Sequence, residues 1–188
     1  LEGERFVTGF DSRMQRYGLS SYIRIYDTAT GEQVACEEVE RGWITHVSFC
    51  PSDSSRLLYN HEWPADNGVR RMWLWDGAAH EPLRRPTDGQ SKQDFVCHEF
   101  WAHDGSAIVY HGRYPAGRSF VGRWDASSRN VSEALFPEGF DRYGHFTIGP
   151  HGRLITDGAY EPGEDTDISQ EQQGDLATSG GWITLMDV

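Results

Sequence analysis

Short apolar stretches alternate with turn residues along the chain, and four of these stretches end in an aspartate. The segments are IRIYDTATGE, MWLWDGAAHE, VGRWDASSRN and ITLMDV. Alternating apolar and polar positions predict β-strands, and clusters of Gly, Asn, Asp and Ser between them predict turns. The aspartates are separated by 49, 49 and 62 residues, at Asp27, Asp76, Asp125 and Asp187. This spacing indicates an internal repeat.

A second match lies upstream of the last three aspartates, in THVSFCPSDSSRLLYNHEWP, CHEFWAHDGSAIVYHGRYP and GHFTIGPHGRLITDGAYEP. Each repeat therefore reads as strand, turn, strand, loop, strand, an aspartate turn and a weaker outer strand. Four short antiparallel strands in such a period are typical of a β-propeller blade. The alternative is a β-sandwich, which would not place similar residues at matching offsets in successive units.

The repeat predicts an all-β fold, a β-propeller of four-stranded antiparallel blades. We place approximate blades at residues 1–42, 43–90, 91–140 and 141–188, which amounts to about three and a half blades. Because a blade needs neighbours on both faces of its sheet, we expect self-association or a further chain segment to close the ring.

The composition excludes some classes of binding partner. The formal net charge of −12, with only 17 Lys and Arg, argues against binding to nucleic acid or to an anionic membrane surface. No apolar run is long enough to span a membrane. The three cysteines, Cys36, Cys50 and Cys97, are an odd number without metal-type spacing. They favour a reducing compartment, so the predicted location is cytoplasmic.

The repeated histidines are the first candidate for chemistry. His46, His98 and His145 stand at equivalent positions near the start of a blade's first strand. First strands line the central channel of a propeller, so we expect these imidazoles to converge. Convergent neutral imidazoles are ligands for Mn, Fe, Ni or Zn, and an added oxygen donor favours Mn. The alternative is that each histidine braces neighbouring blades.

A further histidine departs from the repeat. Aligning the second strands matches Asn60 with His111 and Asp157, so His61 has no counterpart. Local departures from a repeated pattern are candidates for function, and a surface loop histidine is the alternative.

Four segments carry a resemblance to a known family: THVSFCPSD, NHEWPADNGVRRMWLWDG, CHEFWAHDGSAIVY and GHFTIGPHGRLITDGAY. In this order they resemble the C-terminal half of oligogalacturonate lyase, a seven-bladed propeller enzyme of pectin breakdown. The resemblance covers about residues 43 to 160. Its HEFW segment followed by a turn, with an HE and an aromatic residue in the preceding blade, is moderately specific.

The resemblance implies cleavage of short uronate oligosaccharides by metal-assisted β-elimination, with a divalent cation, commonly manganese. It implies that His98 and His145 are metal ligands, to which the repeat adds His46, and that His61 is the base that abstracts a proton. The segment FDRYGHFT has no glutamine and no second adjacent histidine, so the implied ligand set is smaller than the family's.

The substrate's carboxylates need cationic partners. Arginine binds carboxylates in a bidentate fork, and Arg41, Arg71 and Arg113 lie near the relevant strand ends, so we predict that they bind substrate.

Two other functions remain open from the sequence. One is a non-catalytic β-propeller that binds carbohydrate or a protein partner through its channel mouth. The other is a propeller that accompanies a peptidase-like enzyme. That reading needs a hydrolase domain, and the sequence contains no G-x-S-x-G nucleophile elbow.

Overall fold

In the computed structural model, the regular elements of the described residues are β-strands, apart from the helical residues 14, 16 and 17. The structure describes residues 14, 16–40, 43–62, 71–84, 95–114, 118–136, 145–149, 153–160 and 180–187, with the backbone alone for 95, 156–160 and 180–187. The chain divides into two compact units, Leu1–Lys92 and Gln93–Val188. Within the described residues there is no helix with the length and apolar character that a membrane crossing requires.

The first unit contains two antiparallel sheets. A two-stranded sheet pairs β1 (Ser21–Tyr26) with β2 (Gln33–Val39). A four-stranded sheet follows in chain order, formed by β3 (Ile44–Cys50), β4 (Asp53–His61), β5 (Met72–Trp75) and β6 (His80–Pro82). Each strand of the second sheet therefore pairs with its neighbour in sequence, which is the arrangement the repeat predicts for a blade.

The second unit repeats this plan. Its four-stranded sheet consists of β7 (Phe95–Trp101), β8 (Ala107–Arg113), β9 (Ser119–Asp125) and β10 (Val131–Leu135). Its three-stranded sheet consists of β11 (Phe146–Ile148), β12 (Arg153–Tyr160) and β13 (Gly180–Asp187). The division of the chain into the four predicted blades stays a prediction, although the sheets follow one another in the predicted order.

Each unit has its own apolar core between its two sheets. In the first unit, Ile23 and Val39 of the two-stranded sheet pack with Leu57, Tyr59 and Trp75 of the four-stranded sheet. In the second unit the cluster comprises Val109, Val121, Phe136 and Leu154. Apolar faces on β-sheets must be covered by another element, so this pairing of sheets is what holds each unit together.

Three of the repeated aspartates close the turns that follow β1, β5 and β9. The Oδ1 atoms of Asp27, Asp76 and Asp125 each accept hydrogen bonds from the backbone amides two and three residues ahead, at 2.8–3.1 Å. Hydrogen bonds from these amides hold the pKa of Asp27 and of Asp125 below the ordinary aspartate value. The repeat noticed in the sequence is therefore a repeat of one turn structure.

Candidate functional site

The two four-stranded sheets share a β-bulge at equivalent places. In the first sheet Thr45 pairs with Asn60, and the register then shifts before Ser48. In the second sheet Cys97 pairs with His111, and the register shifts before Phe100. A bulge sets two residues of one strand against one residue of its partner and redirects the side chains there.

A histidine occupies the bulge in both sheets. His46 and His98 have positive φ angles of 53° and 52°, in the left-handed region that residues other than glycine seldom adopt. Two independent sheets thus hold the repeated histidine in the same uncommon backbone conformation. The repeat therefore extends to backbone geometry at this position.

In the second sheet, metal-ligating atoms converge at the bulge. Ligand atoms of Cys97, His98 and His111 lie within 4.8 Å of one another. Cys97 Sγ lies 2.9 Å from Nε2 of His111. The imidazole rings of His98 and His111 meet edge to face, with centroids 4.8 Å apart. Cys97 and His111 are buried, whereas His98 is half-buried.

His145, which precedes β11, brings its imidazole ring against that of His98. Its ring stacks on that of His98, with centroids 4.8 Å apart and an interplanar angle of 30°. The structure therefore brings together two of the three predicted metal ligands, His98 and His145. The third, His46, belongs to the first unit, where its Nε2 lies 3.6 Å from Oε1 of Glu62.

The donor set suits a divalent transition-metal ion. Imidazole binds Zn, Cu, Fe and Ni, and a thiolate is a softer donor that adds preference for zinc. Sequence analysis missed Cys97 and His111 as members of this group. The spacing of the cysteines along the chain gave no metal signal, because the relevant neighbour of Cys97 lies across the sheet. The signal was the strand segment YHGR, whose histidine faces CHEF once the hairpin forms.

The predicted base, His61, is the last residue of β4 and lies in an aromatic environment. Its ring centroid is 5.4 Å from that of Trp73 and 5.7 Å from that of Tyr59. The side chain is buried, and among the described residues its Nδ1 has no hydrogen-bond partner. Burial, and secondarily the charge of His80, lowers the pKa of His61 to about 4. The imidazole is therefore neutral near pH 7, as a proton acceptor must be.

Tyr59, against which His61 packs, belongs to a series of side chains linked by polar contacts. Tyr59 Oη lies 2.9 Å from Nδ1 of His80, and Nε2 of His80 lies 2.8 Å from Oε1 of Glu37. Burial and the negative charge of Glu37 raise the pKa of Tyr59, which keeps its hydroxyl protonated. These contacts fix the aromatic ring against which His61 packs, and they connect β2, β4 and β6.

Of the predicted substrate-binding arginines, Arg71 is held in place by a carboxylate. Its guanidinium donates to both oxygens of Glu62, at 2.9 and 3.4 Å, and its backbone carbonyl accepts from the amide of His61 at 2.8 Å. Thr45 also donates its hydroxyl to Glu62. Glu62 thus positions Arg71 next to His61, a role that sequence analysis did not assign.

Of the two other predicted arginines, the structure describes one. Arg113 ends β8, opposite Phe95, and is partly buried. Arg41 lies outside the described residues.

Comparison with known proteins gives consistent matches. The model of a family described as oligogalacturonate lyase matches residues 15–131. An oligogalacturonide lyase of Pectobacterium atrosepticum and an oligogalacturonate lyase of Dickeya dadantii are each 34% identical over 90 residues. These alignments cover 47% of this chain and 22% of each relative, so the chain spans about a fifth of the length of the curated relatives it matches.

Two solved structures share the fold. An oligogalacturonate lyase in complex with manganese aligns with a TM-score of 0.63 at 24% identity, covering 78% of this chain and 38% of that one. An oligogalacturonate lyase from Vibrio parahaemolyticus aligns with a TM-score of 0.65 at 22% identity, covering 82% of this chain and 40% of that one. The predicted all-β propeller fold with four-stranded antiparallel blades is confirmed by this likeness and by the observed sheets.

Proposed function

The chain belongs to the oligogalacturonate lyase family, since the family's model matches more than half of its residues, and on this premise we propose that it acts on short uronate oligosaccharides by β-elimination. The observation that carries the proposal is that the match, residues 15–131, includes the segments around both His61 and His98. The partner that follows is a uronate oligosaccharide, an anion that local arginines must attract against the net charge of −12.

A divalent cation is the proposed cofactor, with His98 and His145 as the proposed ligands. His46, the third ligand predicted from the repeat, has its Nε2 3.6 Å from a carboxylate oxygen of Glu62 in the first unit, and it is left out of the proposed ligand set. A manganese complex is known for a structural relative, and this is the support for proposing manganese here. When bound, a divalent cation supplies Lewis-acid chemistry, neutralising the carboxylate beside the C5 proton of the sugar. The support for proposing this pair is that the imidazole rings of His98 and His145 are in contact, with centroids 4.8 Å apart.

His61 is the proposed base. Its neutral imidazole takes the C5 proton of the uronate, the electron pair of that bond forms the C4–C5 double bond, and the C4–O bond to the leaving sugar breaks. Such general-base help contributes roughly 10²- to 10⁴-fold to a rate. A base with a pKa of about 4 is weak, but the carboxylates of a bound uronate would raise the pKa of His61.

The arginines would orient the substrate's carboxylates. We propose this role for Arg41, Arg71 and Arg113. Arg71 is the best supported, because Glu62 holds its guanidinium and its backbone is hydrogen-bonded to that of His61. The hydrogen bonds to Glu62 also restrict the movement of the Arg71 guanidinium. Arg71 would therefore bind a substrate carboxylate from a fixed position and help to orient the substrate.

The test is an elimination assay on the chain loaded with Mn²⁺. Digalacturonate is added and the ultraviolet absorbance of the unsaturated uronate product is followed, with a His61→Ala variant as the matched control. Absorbance that rises with the wild type and stays flat with the variant supports the proposal. Digalacturonate binding without product contradicts it and supports a non-catalytic binding propeller. Light scattering on the same sample checks the predicted association that would complete the ring.

A further inference from the structure

The cluster at the bulge of the second sheet contains a sulfur donor that the resemblance to the lyase family does not imply. We propose that the Cys97 thiolate binds metal together with His98 and His111, which makes this a mixed sulfur and nitrogen centre. This inference concerns metal binding, and it holds whether or not the chain cleaves uronates.

The hairpin geometry explains how three ligands converge. Cys97 and His111 are directly paired across β7 and β8, and the side chains of such a pair point to the same face of a sheet. Strand alternation would turn the next residue, His98, to the opposite face. The bulge and the φ of 52° at His98 interrupt this alternation, and the imidazole comes within 4.8 Å of the other two ligand atoms.

A simple hydrogen bond between Cys97 and His111 would account for the 2.9 Å contact, but it needs only two of the three residues. The first four-stranded sheet shows that the bulge itself needs neither the thiol nor the facing imidazole. It has the same bulge with His46 at a φ of 53°, yet it presents Thr45 and Asn60 at the paired positions. The backbone is therefore common to both sheets, and the thiol with its facing imidazole is specific to the second.

The burial of the cluster sets the condition under which Cys97 would bind a metal ion. Cys97 and His111 are 6% and 1% exposed, and the second unit's apolar core includes Val109 and Val121 on the adjoining strands. Burial disfavours a thiolate on its own, so Cys97 would lose its proton only to a bound cation, whose attraction for the thiolate is screened little in such surroundings. His98 is half-buried, which leaves a route for the ion from solvent.

The sulfur donor changes which ion the centre holds best. Thiolate with imidazoles is a donor set for zinc and cobalt, whereas manganese prefers oxygen donors and binds such sites more weakly. Three protein ligands are also the number found in zinc sites that keep one position for water or substrate. We therefore expect Cys97 to raise the affinity for Zn²⁺ and Co²⁺ more than the affinity for Mn²⁺.

The first test uses Co²⁺ as a spectroscopic probe. Co²⁺ bound by a thiolate gives a sulfur-to-cobalt charge-transfer band in the near ultraviolet. The metal-free chain titrated with Co²⁺ should show this band, and Cys97→Ser should lose it. Cys50→Ser and Cys36→Ser are the matched controls, because these thiols lie outside the cluster, and both should keep the band. Stoichiometric cobalt without the band, or a band that survives Cys97→Ser, overturns the proposal.

The second test measures selectivity by competition between ions. Cys97→Ser should weaken Zn²⁺ binding at least roughly 10-fold more than Mn²⁺ binding, since changes near metal ligands commonly cost about 10- to 100-fold in affinity. Equal loss for the two ions contradicts a sulfur ligand. If the serine variant fails to fold, zinc-edge X-ray absorption on the wild type decides the matter. A sulfur neighbour at about 2.3 Å supports the proposal, and its absence overturns it.

Discussion

The two four-stranded sheets share one backbone plan and carry different chemistry. Both have a bulge with a left-handed histidine, at His46 and His98, and both close their last turn with an aspartate. The residues paired next to the bulge are Thr45 with Asn60 in the first sheet and Cys97 with His111 in the second. The repeated positions therefore give both sheets the same backbone. The few paired positions that differ give each sheet its own set of side chains for binding.

The two sheets also differ at the next pair of residues along the hairpin. His61 pairs with Ile44 in the first sheet, and the equivalent pair in the second is Gly112 with Val96. The first sheet thus has a buried, neutral imidazole beside aromatic rings, while the second has a cluster of metal-type donors. The two sheets therefore present different side chains at equivalent places of the same hairpin.

The largest expected effect comes from removing the imidazole of the first sheet. His61→Ala should lower kcat for elimination by roughly 10²- to 10⁴-fold, because it deletes the proposed general base. Metal content should be unchanged, since His61 is not among the grouped ligands. Initial rates of absorbance increase and elemental analysis of the same preparation give both quantities. Full activity in this variant would remove His61 from the mechanism.

The pKa of His61 predicts a pH dependence of stability. Its folded pKa of about 4 lies below the ordinary value of 6.5, so the unfolded state binds the proton more readily between these values. The contribution of His61 to stability is present above pH 6.5 and is lost as the pH falls toward 4, by up to about 3 kcal/mol. Urea unfolding at about pH 7 and about pH 4.5 measures the difference, and His61→Gln should reduce it. An unchanged difference in that variant would show that His61 titrates normally.

The two sheets pack differently at one position, where the second sheet has a glycine. Tyr59 is paired with Trp73 in the first sheet, whereas the equivalent Tyr110 lies over Gly122 in the second. A Cβ at Gly122 would lie 2.2–2.7 Å from atoms of the Tyr110 side chain, so the buried ring would have to move.

Gly122→Ala should accordingly destabilise the protein by about 1–3 kcal/mol through overpacking. Gly149→Ala is the control, because a Cβ there meets only ordinary contacts at 3.7 Å. Thermal or urea unfolding measures both variants. Equal stability of the two would mean that Tyr110 does not cover Gly122.

The smallest expected effect is the difference in stability between the phenylalanine variants of the same two tyrosines. Tyr110 donates to the carboxylate of Glu133 at 2.8 Å, whereas Tyr59 lies 2.9 Å from an imidazole nitrogen of His80. A hydrogen bond to a carboxylate contributes about 1.5–3 kcal/mol, and a typical intramolecular hydrogen bond contributes about 1 kcal/mol. Tyr110→Phe should therefore destabilise more than Tyr59→Phe in urea unfolding near neutral pH. The opposite order would contradict the assignment of these contacts.

The repeat allowed much of the fold to be predicted. Alternation and the spaced aspartates indicated the strands and their order, because the Asp turn is a local structure that a few residues determine. Of the three histidines expected to converge, His46, His98 and His145, the rings of the last two stack. These successes share a cause, since each depends on positions that recur in the sequence at a constant offset.

The metal-type group could be predicted only in part, for a physical reason. Its extra members, Cys97 and His111, become neighbours through cross-strand pairing and through a bulge that redirects His98. A bulge shifts the register of a strand by one residue, and nothing in the apolar pattern of CHEFWA marks where the shift occurs. The contact of Glu62 with Arg71 was hidden for a similar reason, since it joins residues nine positions apart in the sequence.

The most direct test of the account is a count of bound metal in three proteins: wild type, His98→Ala and His46→Ala. These histidines share the bulge and the backbone angle, so the substitutions are matched, and only their surroundings differ. Each protein is stripped, reloaded with Zn²⁺, desalted and assayed by elemental analysis. The account predicts that His98→Ala loses the metal and His46→Ala keeps it, because Cys97 and His111 accompany only His98. Equal metal content in the two variants would contradict a centre built on the second sheet.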